Sequence, residues 1–420
     1  MAMDHAHCTA LAPSSIVAFP LVKSFNMATD LYSPGEIFTD DNSVPRVMIA
    51  PQRYIQGEGV IDHMGRYMSL VNSQQAAVLA SSRGHGAEGA RVMDSLRQRN
   101  ITGIATAFDG ECSLEEVDKQ VEALKDENLD CLIAVGGGKC VDAGKCIAYR
   151  LDIPVVIIPT LASNDAPCSA LSVMYSPEGI NNGVEYFPDS PALVVVDTGV
   201  VAKASERFLV AGMGDAMATW YEAKACLTNP EGRNCVGSRP TLACAAMGET
   251  CAHTLYEYGV AASESVVADR CDDALERVVE ANTLISGIGF ESGGCAAAHA
   301  IAVAYTHVKE VHDNYLHGEM VAMGTLAHLM MEKNEDARKA AEFFTSVGLP
   351  VHLGQLSLTT GSKEDIDTVA EAAMATGIIH NMPMTVTTEL VRSSILEAHE
   401  LGEAVAKDFG DEAYRRLQSE

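Results

Sequence analysis

Asp130-Cys-Leu-Ile-Ala-Val-Gly-Gly-Gly-Lys-Cys-Val-Asp-Ala-Gly-Lys-Cys-Ile-Ala-Tyr149 reads as a strand, a turn and a helix. Residues 131–135 form a short apolar run of the kind that fills a buried parallel strand, and Gly136, Gly137 and Gly138 permit backbone angles closed to other residues. After the turn Val141, Lys145 and Ala148 recur at helical spacing, so the first N–H groups of a new helix point beyond the end of the sheet. That is an anion site, expected to take phosphate. A plainer reading stands beside it, a glycine turn that merely ends a buried strand. Lys139 directly follows three glycines and so matches neither the six-residue dinucleotide fingerprint nor the Walker pattern.

Working outward, the same alternation repeats. Residues 76–80, 104–108 and 155–158 are further short apolar or β-branched runs, separated by helical stretches at 87–99, 114–125 and 141–150. Alternating strands and helices predict a parallel sheet covered by helices on both faces. A further pair, 170–175 and 192–197, reads as a hairpin or edge extension around the Pro- and Gly-containing segment 176–191. From Lys203 alanine-rich segments with helical periodicity take over, most clearly at 207–225, 241–258, 273–287, 295–308, 318–332 and 388–407. The predicted organisation is a leader over 1–45, an α/β domain over 46–202 and an all-α domain over 203–420. Without a repeat or low-complexity linker, the two domains are expected to share a substantial interface, and the cleft between them is the default site.

Composition narrows the function class. Lys and Arg number 29 against 57 Asp and Glu, a formal charge of −28, which argues against nucleic acid and anionic membrane as partners. The same charge repels an anionic cofactor, so a local cationic or N–H-rich site is needed to hold one. The 12 cysteines form no Cys-x-x-Cys pair and several sit at apolar positions, which predicts reduced core residues of an intracellular, cytoplasmic protein. No apolar run reaches the length of a membrane span. The first 45 residues hold one lysine, Lys23, and no arginine, unlike a transit or signal peptide, and Met27 is an alternative start.

Pro159-Thr-Leu-Ala-Ser-Asn-Asp-Ala-Pro-Cys-Ser169 follows the strand at 155–158, at the end where open α/β sheets bind ligands. Thr160, Ser163 and Ser169 have the chemistry to bond a ribose or phosphate, and Asp165 to receive a hydroxyl; an ordinary loop rich in Asx and proline turns reads the same way. On the helical side, Gly212-Met-Gly-Asp215 sets a carboxylate at the expected start of a helix. Gly293-Gly-Cys-Ala-Ala-Ala-His299 sets a histidine among small residues, and His317-Gly-Glu319 opens a helix with a second one. One carboxylate and two imidazoles with a fourth position open is the ligand set of a catalytic zinc or ferrous ion. Taken singly, Asp215 reads as a helix cap, His299 as a buried structural histidine and His317 as a helix-start residue, with His253, His307, His312, His328 and His380 as rivals.

At these phrases the sequence resembles the iron-type, metal-dependent polyol dehydrogenases. The resemblance is carried by Tyr54-Ile-Gln-Gly57, Phe108-Asp-Gly-Glu-Cys112, the glycine turn, the loop from Pro159, Gly212-Met-Gly-Asp-Ala-Met-Ala-Thr-Trp220, Val279-Glu-Ala-Asn-Thr-Leu284, Gly289-Phe-Glu-Ser-Gly-Gly294, Leu316-His-Gly-Glu319 and Ile379-His-Asn-Met-Pro383, in family order. It implies a nucleotide-binding α/β domain, a helical metal- and substrate-binding domain, and reversible oxidation of glycerol or a related vicinal diol to its ketone. By position it implies Asp215, His299 and His317 as ligands of Zn2+, with Fe2+ as the other choice. It implies Gly136, Gly137, Gly138, Lys139, Asp142, Thr160, Ser163, Ser169, Leu171 and Tyr175 as contacts of NAD, Asp165 as the catalytic acid that meets the polyol, and a homo-oligomer. Three departures stand out: Ala80-Ser-Ser-Arg83 lacks the acid that NAD-preferring members carry there, leaving NADP open; Ala302 replaces a second histidine often found after the first ligand; and the leader before Arg46 is not part of the bacterial-type pattern. The alternatives are another alcohol or phosphorylated polyol as substrate, or a catalytically silent metal- or nucleotide-binding relative.

Overall fold

The apolar runs of the first half become β1 (Tyr54–Gly57), β2 (Gln75–Ser81), β3 (Thr102–Phe108), β4 (Cys131–Gly136), β5 (Val155–Pro159), β6 (Leu171–Tyr175), β7 (Asn181–Tyr186) and β8 (Leu193–Asp197). They are seen in a computed structural model that describes residues 32–39 and 43–419. Met27 and most of the expected leader lie outside those residues. Six strands form one parallel sheet in the order β1-β8-β5-β4-β2-β3. A parallel strand is covered on both faces, and β5 and β8 are accordingly buried at every residue.

The chain leaves β2 toward β3 on one side and β4 toward β5 on the other, so the winding reverses between β2 and β4. That reversal opens a crevice at the strand ends, and the glycine turn sits in it. Register then sets its neighbour: Gly136 pairs with Pro159, and the Thr160 N–H donates to the Gly136 carbonyl at 3.0 Å. The turn and the polar loop from Thr160 therefore begin side by side.

The three glycines do not use left-handed angles, since none has a positive φ. Space is the reason for them instead. A Cβ on Gly136 would lie 2.7 Å from that of Cys140, and one on Gly138 would lie 2.7 Å from the Asn164 amide nitrogen.

The pair expected at 170–175 and 192–197 divides differently. β6 pairs antiparallel with β7 in a separate ribbon, while β8 enters the main sheet between β5 and β1. The run Leu193-Val-Val-Val-Asp197 lacks the alternation of an edge strand because both of its faces are covered. β7 escapes a pattern search because only Glu185 of its six residues is buried.

Alternate residues of the strands serve two cores. Val78, Ile133, Val156 and Val195 pack with Ile61, Met64, Val92 and Leu96. Leu79, Leu132, Ile157 and Val194 belong to a core that continues into the helices through Met213, Met217, Ile301 and Val321. The sheet and the helical region thus share one interior, and residues from Tyr32 onward form a single compact unit.

Two helical expectations change. Residues 273–287 do not form one helix: Asp273–Glu280 passes through a π-turn, Ala281–Ile285, into Ser286–Gly293. The π-turn re-aims every side chain after it. Asp215 does not start a helix either; it lies inside Glu206–Thr228, whose first turn is capped by Ser205. Eleven cysteines are described and all are free, and no helix among the described residues is long and apolar enough to cross a membrane.

Candidate active site

One stripe of the helix Glu206–Thr228 organises the site. Gly212, Asp215, Thr219 and Glu222 fall at three- and four-residue spacing and share a face. Gly212 admits the loop that follows β5, for a Cβ there would lie 1.9 Å from the Ala162 carbonyl oxygen. Asn282, from the π-turn, ties that loop down by donating to the carbonyls of Ala162 (3.0 Å) and Leu209 (3.1 Å). Thr219 meets the Ser286 hydroxyl at 2.8 Å, and Ser286 donates to Asp165 Oδ2 at 3.0 Å. The Asp165 N–H in turn donates to Asp215 Oδ2 at 3.2 Å.

Three helices bring the proposed ligands together. His299 comes from Ala297–Tyr305 and His317 opens His317–Glu332. The approach is close because the crossings are made of glycine: a Cβ on Gly318 would lie 1.7 Å from the Ala211 carbonyl oxygen, and one on Gly324 2.2 Å from that of Ala298. The start of the His317 helix is held by Glu319, which accepts the Leu316 N–H at 2.7 Å and binds Arg207 through two contacts at 2.8 Å.

The donor atoms have the spacing of a metal site. Asp215 Oδ1 lies 3.2 Å from His299 Nε2 and 3.3 Å from His317 Nε2. Ligands bonded to zinc at ~2.0–2.1 Å in a tetrahedron stand about 3.3 Å apart, so these residues fit such an ion. Asp215 and His299 are buried while the His317 side chain is 44% exposed, which leaves one side of the group open. Among the described residues the rival histidines join no such group. Glu222, Cys295 and His299 form a second cluster, but Glu222 Oε2 and His299 Nδ1 are bonded directly at 2.5 Å, which leaves no room for an ion between them.

The charges lean the same way. Burial alone would raise the Asp215 carboxyl, yet His317 and His299 outweigh it and hold it well below the usual range. Burial would depress His299, but Glu222 and Asp215 push it well above an ordinary histidine. Asp165 is driven up by burial first and then by the Asp215 charge. A cation among these groups satisfies the carboxylates that protons otherwise satisfy.

On the sheet side Gly137 caps the helix Gly138–Leu151 without a side-chain hydrogen bond, and Gly136, Gly137 and Gly138 are partly exposed. Lys139 is exposed and its Nζ reaches Glu111 Oε1 at 2.5 Å. Thr160, Ser163 and Tyr175 are partly exposed, and Leu171 is buried. Asp142 and Ser169 are buried with their polar atoms engaged. Asp142 pairs with Lys145 at 3.0 Å and accepts the Val173 N–H, while Ser169 lies 3.1 Å from Lys145 Nζ. β2 ends at Ser81, whose hydroxyl accepts the Gly84 N–H, and no carboxylate of Ala80-Ser-Ser-Arg83 reaches this corner.

Sequence reasoning missed Glu222, Ser286, Glu291 and the buried Lys145. Glu222 carried a signal, its position two turns beyond Asp215. Lys145 carried one too, a cation at helical spacing between the apolar Val141 and Ala148; its Nζ ties together the carbonyls of Ala166 (2.8 Å) and Leu171 (2.6 Å). Ser286 carried none, because the π-turn that aims it breaks the periodicity.

Residues 51–198 match the family model of the iron-containing alcohol dehydrogenases. The chain is 41% identical to a glycerol dehydrogenase of Citrobacter freundii over 85% of this chain and 98% of that one. It is 39% identical to a glycolaldehyde reductase of Halobacterium salinarum over 86% and 98% of the two chains. The crystal structure of glycerol dehydrogenase from Schizosaccharomyces pombe superposes with a TM-score of 0.82 at 34% identity, covering 88% of this chain and 94% of that one. With this agreement extending over nearly the full length of its relatives, the chain belongs to the iron-containing alcohol dehydrogenase family, among its glycerol dehydrogenases.

Proposed function

We propose that the chain oxidises glycerol to dihydroxyacetone, and reduces it back, with hydride passing between the substrate carbinol carbon and a nicotinamide dinucleotide. In this reading residues 46–202 hold the dinucleotide and 203–420 hold the metal. The observation that carries it is the convergence of Asp215 Oδ1 and the Nε2 atoms of His299 and His317 beside Asp165. A divalent ion held there supplies Lewis-acid polarisation of a substrate hydroxyl. One carboxylate and two imidazoles suit zinc, with ferrous iron as the other choice.

The remaining roles fall to the chain itself. The glycine turn and the first N–H groups of Gly138–Leu151 cradle the pyrophosphate, with Lys139 at its edge. Thr160 and Ser163 bond the dinucleotide, and Leu171 and Tyr175 give it an apolar wall. Asp142 and Ser169 act through Lys145, fixing the loop and not the cofactor. Asp165, steadied by Ser286 and Thr219, orients the hydroxyl next to the one that reacts. NAD is the expected cofactor, with NADP the competitor at Ser81 and Ser82. The free cysteines support an intracellular, cytoplasmic protein, and a homo-oligomer is the expected assembly.

The Halobacterium relative favours a second reading, reduction of a two-carbon α-hydroxyaldehyde at the same site. Initial rates with glycerol, propane-1,2-diol, butane-2,3-diol and, in reverse, dihydroxyacetone and glycolaldehyde separate the two. Glycerol and dihydroxyacetone are expected to give the highest kcat/KM, abolished by a chelator and restored by zinc. No chelator-sensitive turnover of any of these substrates would refute both.

A further inference from the structure

We infer that Glu222 is a positioning residue that sets the tautomer and the aim of His299, so that the ring offers the Nε2 lone pair, and not a proton, to the cleft. This rests on the metal-site reading above and adds to it a residue that touches neither substrate nor metal. Glu222 is 1% exposed and both of its carboxylate oxygens are occupied. Oε1 accepts the backbone N–H groups of Ala296 at 2.7 Å and His299 at 2.9 Å, and Oε2 lies 2.5 Å from His299 Nδ1. A metal-binding imidazole is neutral and carries one N–H. The carboxylate holds that proton on Nδ1, so Nε2, which in the metal-free protein hydrogen-bonds to Asp215 Oδ1 at 3.2 Å, is the nitrogen whose lone pair a metal would take. By gripping both the ring and the first turn of its helix, Glu222 fixes direction as well as tautomer.

Glu222 follows Asp215 by seven residues, close to two turns of one helix. A single rigid element therefore carries one ligand and the group that aims a second.

Glutamine at this position is nearly isosteric but chemically wrong. If its oxygen keeps the two backbone N–H bonds, its NH2 faces Nδ1 and demands a lone pair there. The ring proton then moves to Nε2, where it blocks the metal. If the amide turns over, the NH2 meets two N–H donors instead.

The test is the zinc affinity of the full-length metal-free protein, measured by competition with a chromophoric chelator. The proteins compared are wild type, Glu222→Gln, His299→Ala and the double variant, each with its metal-free unfolding midpoint. Glu222→Gln is expected to lose about 10–100-fold in affinity. Added to His299→Ala it is expected to cost nothing further, because a residue acting only through His299 then has nothing to act on. Glu222→Asp, put through the same cycle, keeps the charge but withdraws it by one methylene and is expected to fall between wild type and Glu222→Gln. An affinity of Glu222→Gln within two- to threefold of wild type overturns the inference. So does an equal loss with and without His299, the result that general loosening would give even if the midpoint falls. If His299→Ala itself leaves zinc affinity unchanged, the metal-site reading fails and the inference falls with it.

Discussion

Replacing Glu291 by Gln is expected to make stability depend less on pH, and the size of the change follows from one buried carboxyl. Glu291 is 0% exposed; its Oε1 accepts the Ala170 N–H at 3.0 Å, and its Oε2 has no partner. Burial raises its pKa from 4.5 to about 7, against the opposing pull of the Ala170 N–H and Lys145. Between those two values the folded protein holds a proton that the unfolded chain has released. The stability from the neutral acid is therefore fully present below pH 4.5 and is lost as pH rises through about 7. The difference between 4.5 and about 7, at ~1.4 kcal/mol per pH unit, puts the loss at about 3 kcal/mol. Glutamine keeps an acceptor for Ala170 and cannot ionise, so whatever its unpaired NH2 costs does not vary with pH. Denaturant unfolding of both proteins from pH 4.5 to 8.5, at fixed protein concentration, is the assay. The stability of Glu291→Gln relative to wild type should climb by about 3 kcal/mol over that range, other titrating groups cancelling in the difference. A constant offset at every pH would refute the reasoning, because it would mean the ionised carboxylate finds solvent or a counter-charge in the folded state.

Other perturbations probe the site directly. Asp215→Asn should fold with a near-normal unfolding midpoint yet lose zinc and more than about 100-fold in kcat/KM, read by metal analysis and steady-state rates. Gly212→Ala forces a Cβ to within 1.9 Å of the Ala162 carbonyl oxygen. It should cost about 1–3 kcal/mol in denaturant unfolding and lower kcat by displacing the Asp165 loop. Ser81→Asp should raise the ratio of kcat/KM for NAD over NADP by about tenfold or more, since a hydrogen bond to a charged group contributes ~1.5–3 kcal/mol.

Much of the architecture was legible because it rests on local chemistry. Parallel strands covered on both faces must be apolar throughout, so β4 and β5 stood out as runs, and the glycine turn marked the crevice before any strand order was known. Even there the reason was misread, since close packing against Cys140 and Asn164, and not backbone angle, requires glycine. The three ligand candidates were likewise visible as residue types. Their partnership was not, because Asp215, His299 and His317 lie on three helices whose crossings depend on contacts such as Gly318 against Ala211. β7 and the π-turn were hidden for a related reason: one buries a single residue and the other interrupts the period by which helices are read. The sequence by itself determined the sheet, the helical half and the residues with metal and phosphate chemistry, since each follows from side chains near one another in the chain. Only the tertiary structure decided that Glu222 stands behind His299, that Ser286 holds Asp165 and that Lys145 is spent on the loop, because hydrogen bonds between distant segments depend on how the elements cross.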